Sequence, residues 1–143
     1  MCHFVLEHGH GHLLVANAGP NSLSSFNLNP DGTVTLLDSE ANGQAATCWV
    51  AGAGGFFYTS NAGSPSLSGY QVRAGGQLNL LGSTKTDPGT VDAAASTRGR
   101  FLYVQTGGNG IVDEFQVGAN GSLAQIGSVT VAGAVGGEGI VAF

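Results

Sequence analysis

Apolar positions along the chain come in short bursts. In the first third these are HLLVAN, SLSSFNL and TVTLLD, rich in leucine, β-branched and aromatic residues and separated by Gly, Asn, Asp and Pro. Runs of that kind, bounded by turn formers, predict strands. No stretch holds a 3.6-residue period for three turns, so nothing in the pattern supports an amphipathic helix. The chain reads as all-β.

The bursts also repeat. Residues 13–37 (LLVANAGPNSLSSFNLNPDGTVTLL), 57–81 (FYTSNAGSPSLSGYQVRAGGQLNLL) and 102–126 (LYVQTGGNGIVDEFQVGANGSLAQI) align without a gap, at offsets of 44 and 45. Phe26, Tyr70 and Phe115 coincide. So do Gly32, Gly76 and Gly121, each in a turn (PDG, AGG, ANG), followed two residues later by Val34, Leu78 and Leu123. A further run precedes each unit: HFVLE (3–7), TCWVA (47–51) and DAAAS (92–96). Four strands per unit at a period near 45 mark the blade of a β-propeller. A β-sandwich also spaces its strands evenly, but nothing requires those strands to resemble one another. The pattern predicts three four-stranded antiparallel blades, about 3–39, 46–84 and 91–129, with one extra strand at 138–143 where the innermost strand of a fourth blade belongs.

Composition narrows the classes. A chain of 143 residues suffices for one domain with a core, yet only 9% of it is charged, against about 25% in an average domain. Net charge is -5, and Arg73, Lys85, Arg98 and Arg100 are the only Lys or Arg residues. A nucleic-acid surface needs clustered cations to displace counterions, so none is expected. There is no apolar run of about 18 residues, so no membrane partner is expected, and no basic-then-apolar leader predicts a signal peptide. The compartment stays open. Cys2 and Cys48 leave both a pair of packed thiols and a disulfide open. Gly107-Gly108-Asn109-Gly110 precedes a strand-like run, whereas a phosphate loop needs a helix there, and no GxSxG elbow exists. No cofactor is expected. Asn120-Gly121-Ser122 fits a glycosylation acceptor and equally a turn.

All four histidines, His3, His8, His10 and His12, fall in the first twelve residues. Residues 8–12 align with 52–56 and 97–101, the connection between a blade's first and second strands, where tight turns favour glycine. His10 stands where the other units carry Gly54 and Gly99. Imidazoles on alternate positions of an extended chain share a face and bind metals well. The other units, however, offer no ligands there, so no metal is expected.

The phrases GGFFYTSNAG, GRFLYVQTGG, SLSGYQV, VDEFQV and GGQLNLL resemble the lactonase-type seven-bladed propellers, described as 6-phosphogluconolactonase-like or 3-carboxymuconate-cyclase-like. The resemblance covers nearly the whole chain and is closest to the C-terminal part of that family, whose chains end in a short apolar strand like residues 138–143. It implies an incomplete ring, with three blades where the family has seven. It also implies a lactonase or cycloisomerase acting on a small lactone, carboxylate or sugar acid. A non-catalytic scaffold or binding module is the alternative, should the family's catalytic groups lie in blades this chain lacks.

Propeller ligands sit at the mouth of the central channel, so polar residues opening each innermost strand are the site candidates. The aligned positions are His3, Thr47, Asp92 and, with a gap, Glu138 or Gly139. His3, Asp92 and Glu138 are the candidate catalytic residues, because lactone hydrolysis needs a group that activates water and donors that hold the developing oxyanion. Thr47 and Trp49 are candidate ligand-binding residues. Arg98 and Arg100 fall at the opposite end of that strand from Asp92, which weakens any phosphosugar reading. A three-blade arc also leaves two apolar faces and a strand edge bare. Self-association is therefore expected, with two arcs closing a six-bladed ring as the symmetric solution.

Overall fold

The computed structural model describes residues 4–7 and 11–143. Among these residues twelve strands form three four-stranded antiparallel sheets in simple meander order. The first sheet is β1 (Phe4–Glu7), β2 (His12–Asn17), β3 (Ser22–Leu28) and β4 (Val34–Ala41). The second is β5 (Thr47–Ala53), β6 (Phe56–Asn61), β7 (Ser66–Val72) and β8 (Leu78–Lys85). The third is β9 (Thr90–Ala95), β10 (Phe101–Thr106), β11 (Ile111–Val117) and β12 (Leu123–Thr130). Each sheet is one blade, and β5 packs against both β1 and β9, so the first strand of each blade is its innermost.

The core lies between blades. Leu14, Ala16 and Leu23 of the first blade pack on Val50, Phe57, Tyr70 and Leu78 of the second. Ala53, Tyr58 and Leu67 of the second pack on Leu102, Val104 and Phe115 of the third. Strand alternation sends opposite parities to opposite faces, which is why the middle blade buries both sides of β6. All three blades carry a bulge at the same place on their third and fourth strands, between Ser25 and Phe26, Gly69 and Tyr70, and Glu114 and Phe115. The repeat seen in sequence is thus a repeat of backbone detail.

The turn glycines hold the left-handed conformation expected of them, Gly32, Gly76 and Gly121 having φ of 84, 79 and 81°. Gly121 is also needed for space: a Cβ there would lie 2.7 Å from both Leu81 Cδ1 and Phe56 Cδ1 of the preceding blade. The turn carbonyls accept hydroxyl donors from the preceding blade. Ser25 Oγ donates to Gly76 O at 2.5 Å and Tyr58 Oη to Gly121 O at 3.0 Å.

The extra strand expected at 138–143 is not formed; these residues are irregular. The path toward it begins as expected. Val131 N–H donates to Gly110 O at 2.8 Å, as Asn42 N–H does to Asn21 O (3.0 Å) and Thr86 N–H to Pro65 O (3.2 Å) in the two earlier crossovers. Beyond that, among the described residues no strand pairs with residues 138–143, and a strand without a ladder has nothing to satisfy its backbone groups.

Candidate functional site

Strand pairing fixes which inner-strand residues are equivalent. Val50 faces Thr59 and Ala93 faces Val104, at corresponding places on β6 and β10. Thr47 faces Asn61 and Thr90 faces Thr106 in the same way. Asp92 therefore corresponds to Trp49, and Thr47 to Thr90, which corrects the ungapped alignment of Thr47 with Asp92. The crossover into β9 is one residue shorter than that into β5, and the connection after β9 is two residues longer, so the inner strands slip against the outer ones. In the first blade Phe4 faces Val15, the counterpart of Thr59. His3, the preceding residue in sequence, lies outside the described residues.

Asp92 and Trp49 are both half-buried, on adjacent innermost strands at the same level, and neither belongs to the interblade cores. Both carboxylate oxygens of Asp92 accept backbone N–H groups, Oδ1 from Ala93 at 2.8 Å and Oδ2 from Ile140 at 3.2 Å. Ile140 thus lies against β9, and Glu138 is exposed two residues before the bond to Asp92. Arg98 and Arg100 are exposed in the β9–β10 connection, Arg100 lying 5.7 Å from the centre of the Phe101 ring. Among the described residues no three His, Cys, Asp or Glu side chains gather into a metal site. His8 and His10 fall outside those residues, as does Cys2; His12 is buried at the start of β2, and Cys48 is half-buried.

Thr47 is fully buried and belongs to a structural network. Asn61 Oδ1 accepts Thr47 Oγ1 at 2.7 Å and Asn42 Nδ2 at 3.1 Å, while Asn61 Nδ2 donates to Ser66 and Ser68 Oγ, both at 3.0 Å. Asn17 makes the matching pair of bonds to Ser22 and Ser24 in the first blade. The third blade replaces this set with Thr106 and Asp113, whose Oδ2 accepts Asp87 N–H at 2.8 Å and Oδ1 Gln125 Nε2 at 3.0 Å. Burial pushes the Asp113 carboxyl up from its ordinary value; the Asp87 N–H opposes this and the charge of Asp87 reinforces it. These polar corners were missed at the sequence level. The signal was present: an acidic residue at the aligned place of Ser24 and Ser68, on the buried parity of its strand.

Burial also raises the phenols of Tyr58 and Tyr70, each to about 12. A cavity of about 410 Å³ lies at the outer rim between the second and third blades, lined by Tyr58, Leu81, Ser83, Asn120 and Leu123 among others, away from the innermost strands.

The blades, their meander order and their shared inner edge define a β-propeller arc, and solved structures carry the same fold. A candidate 6-phosphogluconolactonase of Bacteroides uniformis is 19% identical, with a TM-score of 0.79 over 91% of this chain and 41% of its own. A periplasmic gluconolactonase of Pseudomonas aeruginosa is 22% identical, with a TM-score of 0.77 over 91% and 42%. The Cps50 (Swd1) β-propeller domain of Myceliophteria thermophila is 13% identical, with a TM-score of 0.71 over 90% and 43%. The chain thus spans about two fifths of the length of these propellers. No protein-family profile matches it. No curated protein matches it either.

Proposed function

We propose that the chain is part of a lactonase-type propeller whose inner-strand site takes a small neutral lactone, with Asp92 activating the water that opens it. The observation that carries this reading is the Asp92 carboxylate on β9, level with Trp49 on the neighbouring β5. The likeness to a gluconolactonase and a candidate 6-phosphogluconolactonase supports the substrate class. Asp92 takes a proton from water as the oxygen attacks the lactone carbonyl; the ring C–O bond breaks, and the departing oxygen receives the proton, leaving a hydroxy acid. Trp49 offers an apolar plane for the ring. Arg98 and Arg100 lie beyond the far end of β9, so a neutral lactone fits better than a phosphorylated one.

The test is acid release from glucono-1,5-lactone in a pH-stat. The expected result is a rate above spontaneous opening that falls about 100-fold in Asp92→Asn. Trp49→Ala is expected to act mainly on KM. An enzymatic rate indifferent to Asp92→Asn overturns the assignment. One observation favours a second reading, a binding module without turnover: both Asp92 oxygens are already engaged by backbone N–H groups. Saturable heat on titration with the same lactone, weakened by Trp49→Ala and without acid release, supports that reading.

A further inference from the structure

The two junctions inside the chain differ at one place. On the first blade, Asp38 follows the bulge of β4 and sits opposite Ser25. Its Oδ2 accepts the Leu78 N–H of the second blade and its Oδ1 the N–H of Ser39, both at 2.8 Å. The ladder explains why Leu78 has a proton to give. Arg73 N–H donates to Gln77 O, so the next pair, Val72 and Leu78, exchanges no bonds and the Leu78 N–H turns away from β7.

The second blade carries Gly82 at the place of Asp38 and Gly69 at that of Ser25. Leu123 of the third blade is the counterpart of Leu78. Gly118 N–H donates to Ser122 O, so the Leu123 N–H turns away from β11 in the same manner. Among the described residues no side chain accepts it, and a Cβ at Gly82 would meet nothing within 4 Å. The vacant place is the cavity of about 410 Å³, which Leu81, Gly82, Ser83, Asn120 and Leu123 line. The third blade also has a glycine here, Gly127, but its Glu114, at the place of Ser25, fills the space: Glu114 Oε2 lies 2.5 Å from where a Gly127 Cβ would stand. The first and third blades thus each put a carboxylate of their own at this place, and the middle blade puts none. Both walls of the cavity, the second blade and the third, belong to this chain.

We propose that the cavity binds a small hydroxy acid, whose carboxylate does at Leu123 what Asp38 does at Leu78. The Leu123 N–H is one donor and the Ser83 N–H, which matches that of Ser39, is the other. A carboxylate there makes charge-assisted bonds and gives the Leu123 N–H an acceptor. Leu81 and the Tyr58 ring flank the remaining volume with apolar surface. Asn120 Oδ1 already accepts the Ser122 N–H, which leaves Asn120 Nδ2, with the Ser83 hydroxyl, to meet a hydroxyl of the ligand.

Titration of the isotope-labelled chain with sodium lactate, read at its amide resonances, tests the proposal. Lactamide serves as the neutral isostere and sodium chloride matches the ionic strength. The expected result is a saturable shift at Leu123 and Ser83, none at Leu78 and Ser39, where Asp38 already holds the place, and a response to lactamide at least tenfold weaker. Asp38→Gly gives the first junction the composition of the second, and lactate is then expected to move Leu78 as well. The titration of the parent chain needs no variant and decides the matter even where Asp38→Gly unfolds. No saturable shift at Leu123, or an equal response to lactamide, overturns the proposal. Shifts confined to Ala93 and Ile140 beside Asp92 overturn it too, because they place the acid on the innermost strand. A folded Asp38→Gly variant whose Leu78 ignores lactate also overturns it, because the two places are then not equivalent.

Discussion

Ala46 shows how finely the crossovers are tuned. It sits at φ 55°, a left-handed backbone that costs a β-carbon about 1–2 kcal/mol. The matching residue of the next crossover is Gly89, at φ 80°. Ala46→Gly relieves that strain but adds freedom to the unfolded chain, so a net gain of about 0.5–1 kcal/mol is expected, read as a higher urea midpoint. The reverse change, Gly89→Ala, places a Cβ 2.5 Å from Gly108 N and is expected to cost about 2 kcal/mol or more. Asp113 supplies a second test at the same scale. Its carboxyl is raised by burial, so its contribution to stability is full below the ordinary value of 3.8 and is lost as pH rises through the raised one. Asparagine does not titrate. Asp113→Asn is therefore expected to gain on the parent chain between pH 4 and pH 7, and urea midpoints measured at the two pH values would show it. A constant difference would mean the carboxyl carries no such burden.

At the scale of strands, the polar corners decide how firmly each innermost strand is held. Asn61 joins Thr47 and Asn42 of the crossover to Ser66 and Ser68 of β7 through four side-chain bonds. Asn61→Ala leaves several buried partners unsatisfied, and a loss of about 3 kcal/mol is expected. Asn17→Ala breaks bonds in a half-buried corner, where water replaces them, and about 1 kcal/mol is expected. Thermal unfolding of the two variants side by side checks the order. The same elements show what the sequence disclosed. Strands and turns were legible because alternation and left-handed glycines leave local marks, as Gly32, Gly76 and Gly121 do. The polar corners were not, because serine and asparagine look alike in a turn and in a buried network. Inner-strand equivalence was misread because one short crossover and one long connection shift β9 against β10 without disturbing any outer strand. That shift paired Asp92 with Thr47, a structural residue, and hid its correspondence with Trp49. The strand expected at 138–143 had the right composition, but composition supplies no ladder partner.

Across the whole molecule, stability is a sum of blades and junctions, as in other repeat arrays. The middle blade has two junctions, and each outer blade has one within the chain. This asymmetry makes a prediction. In the isolated chain, amides of β6 and β7 are expected to exchange with solvent at least about tenfold more slowly than those of β2, β3, β10 and β11. The latter open when a single junction fails, whereas the middle blade must break two. Inner strands alone do not produce this ranking, since each blade has one. Native-state hydrogen exchange on the chain measures the difference. Uniform protection at high dilution would show that the blades open as one cooperative unit, and the description as a chain of separable junctions would then fail.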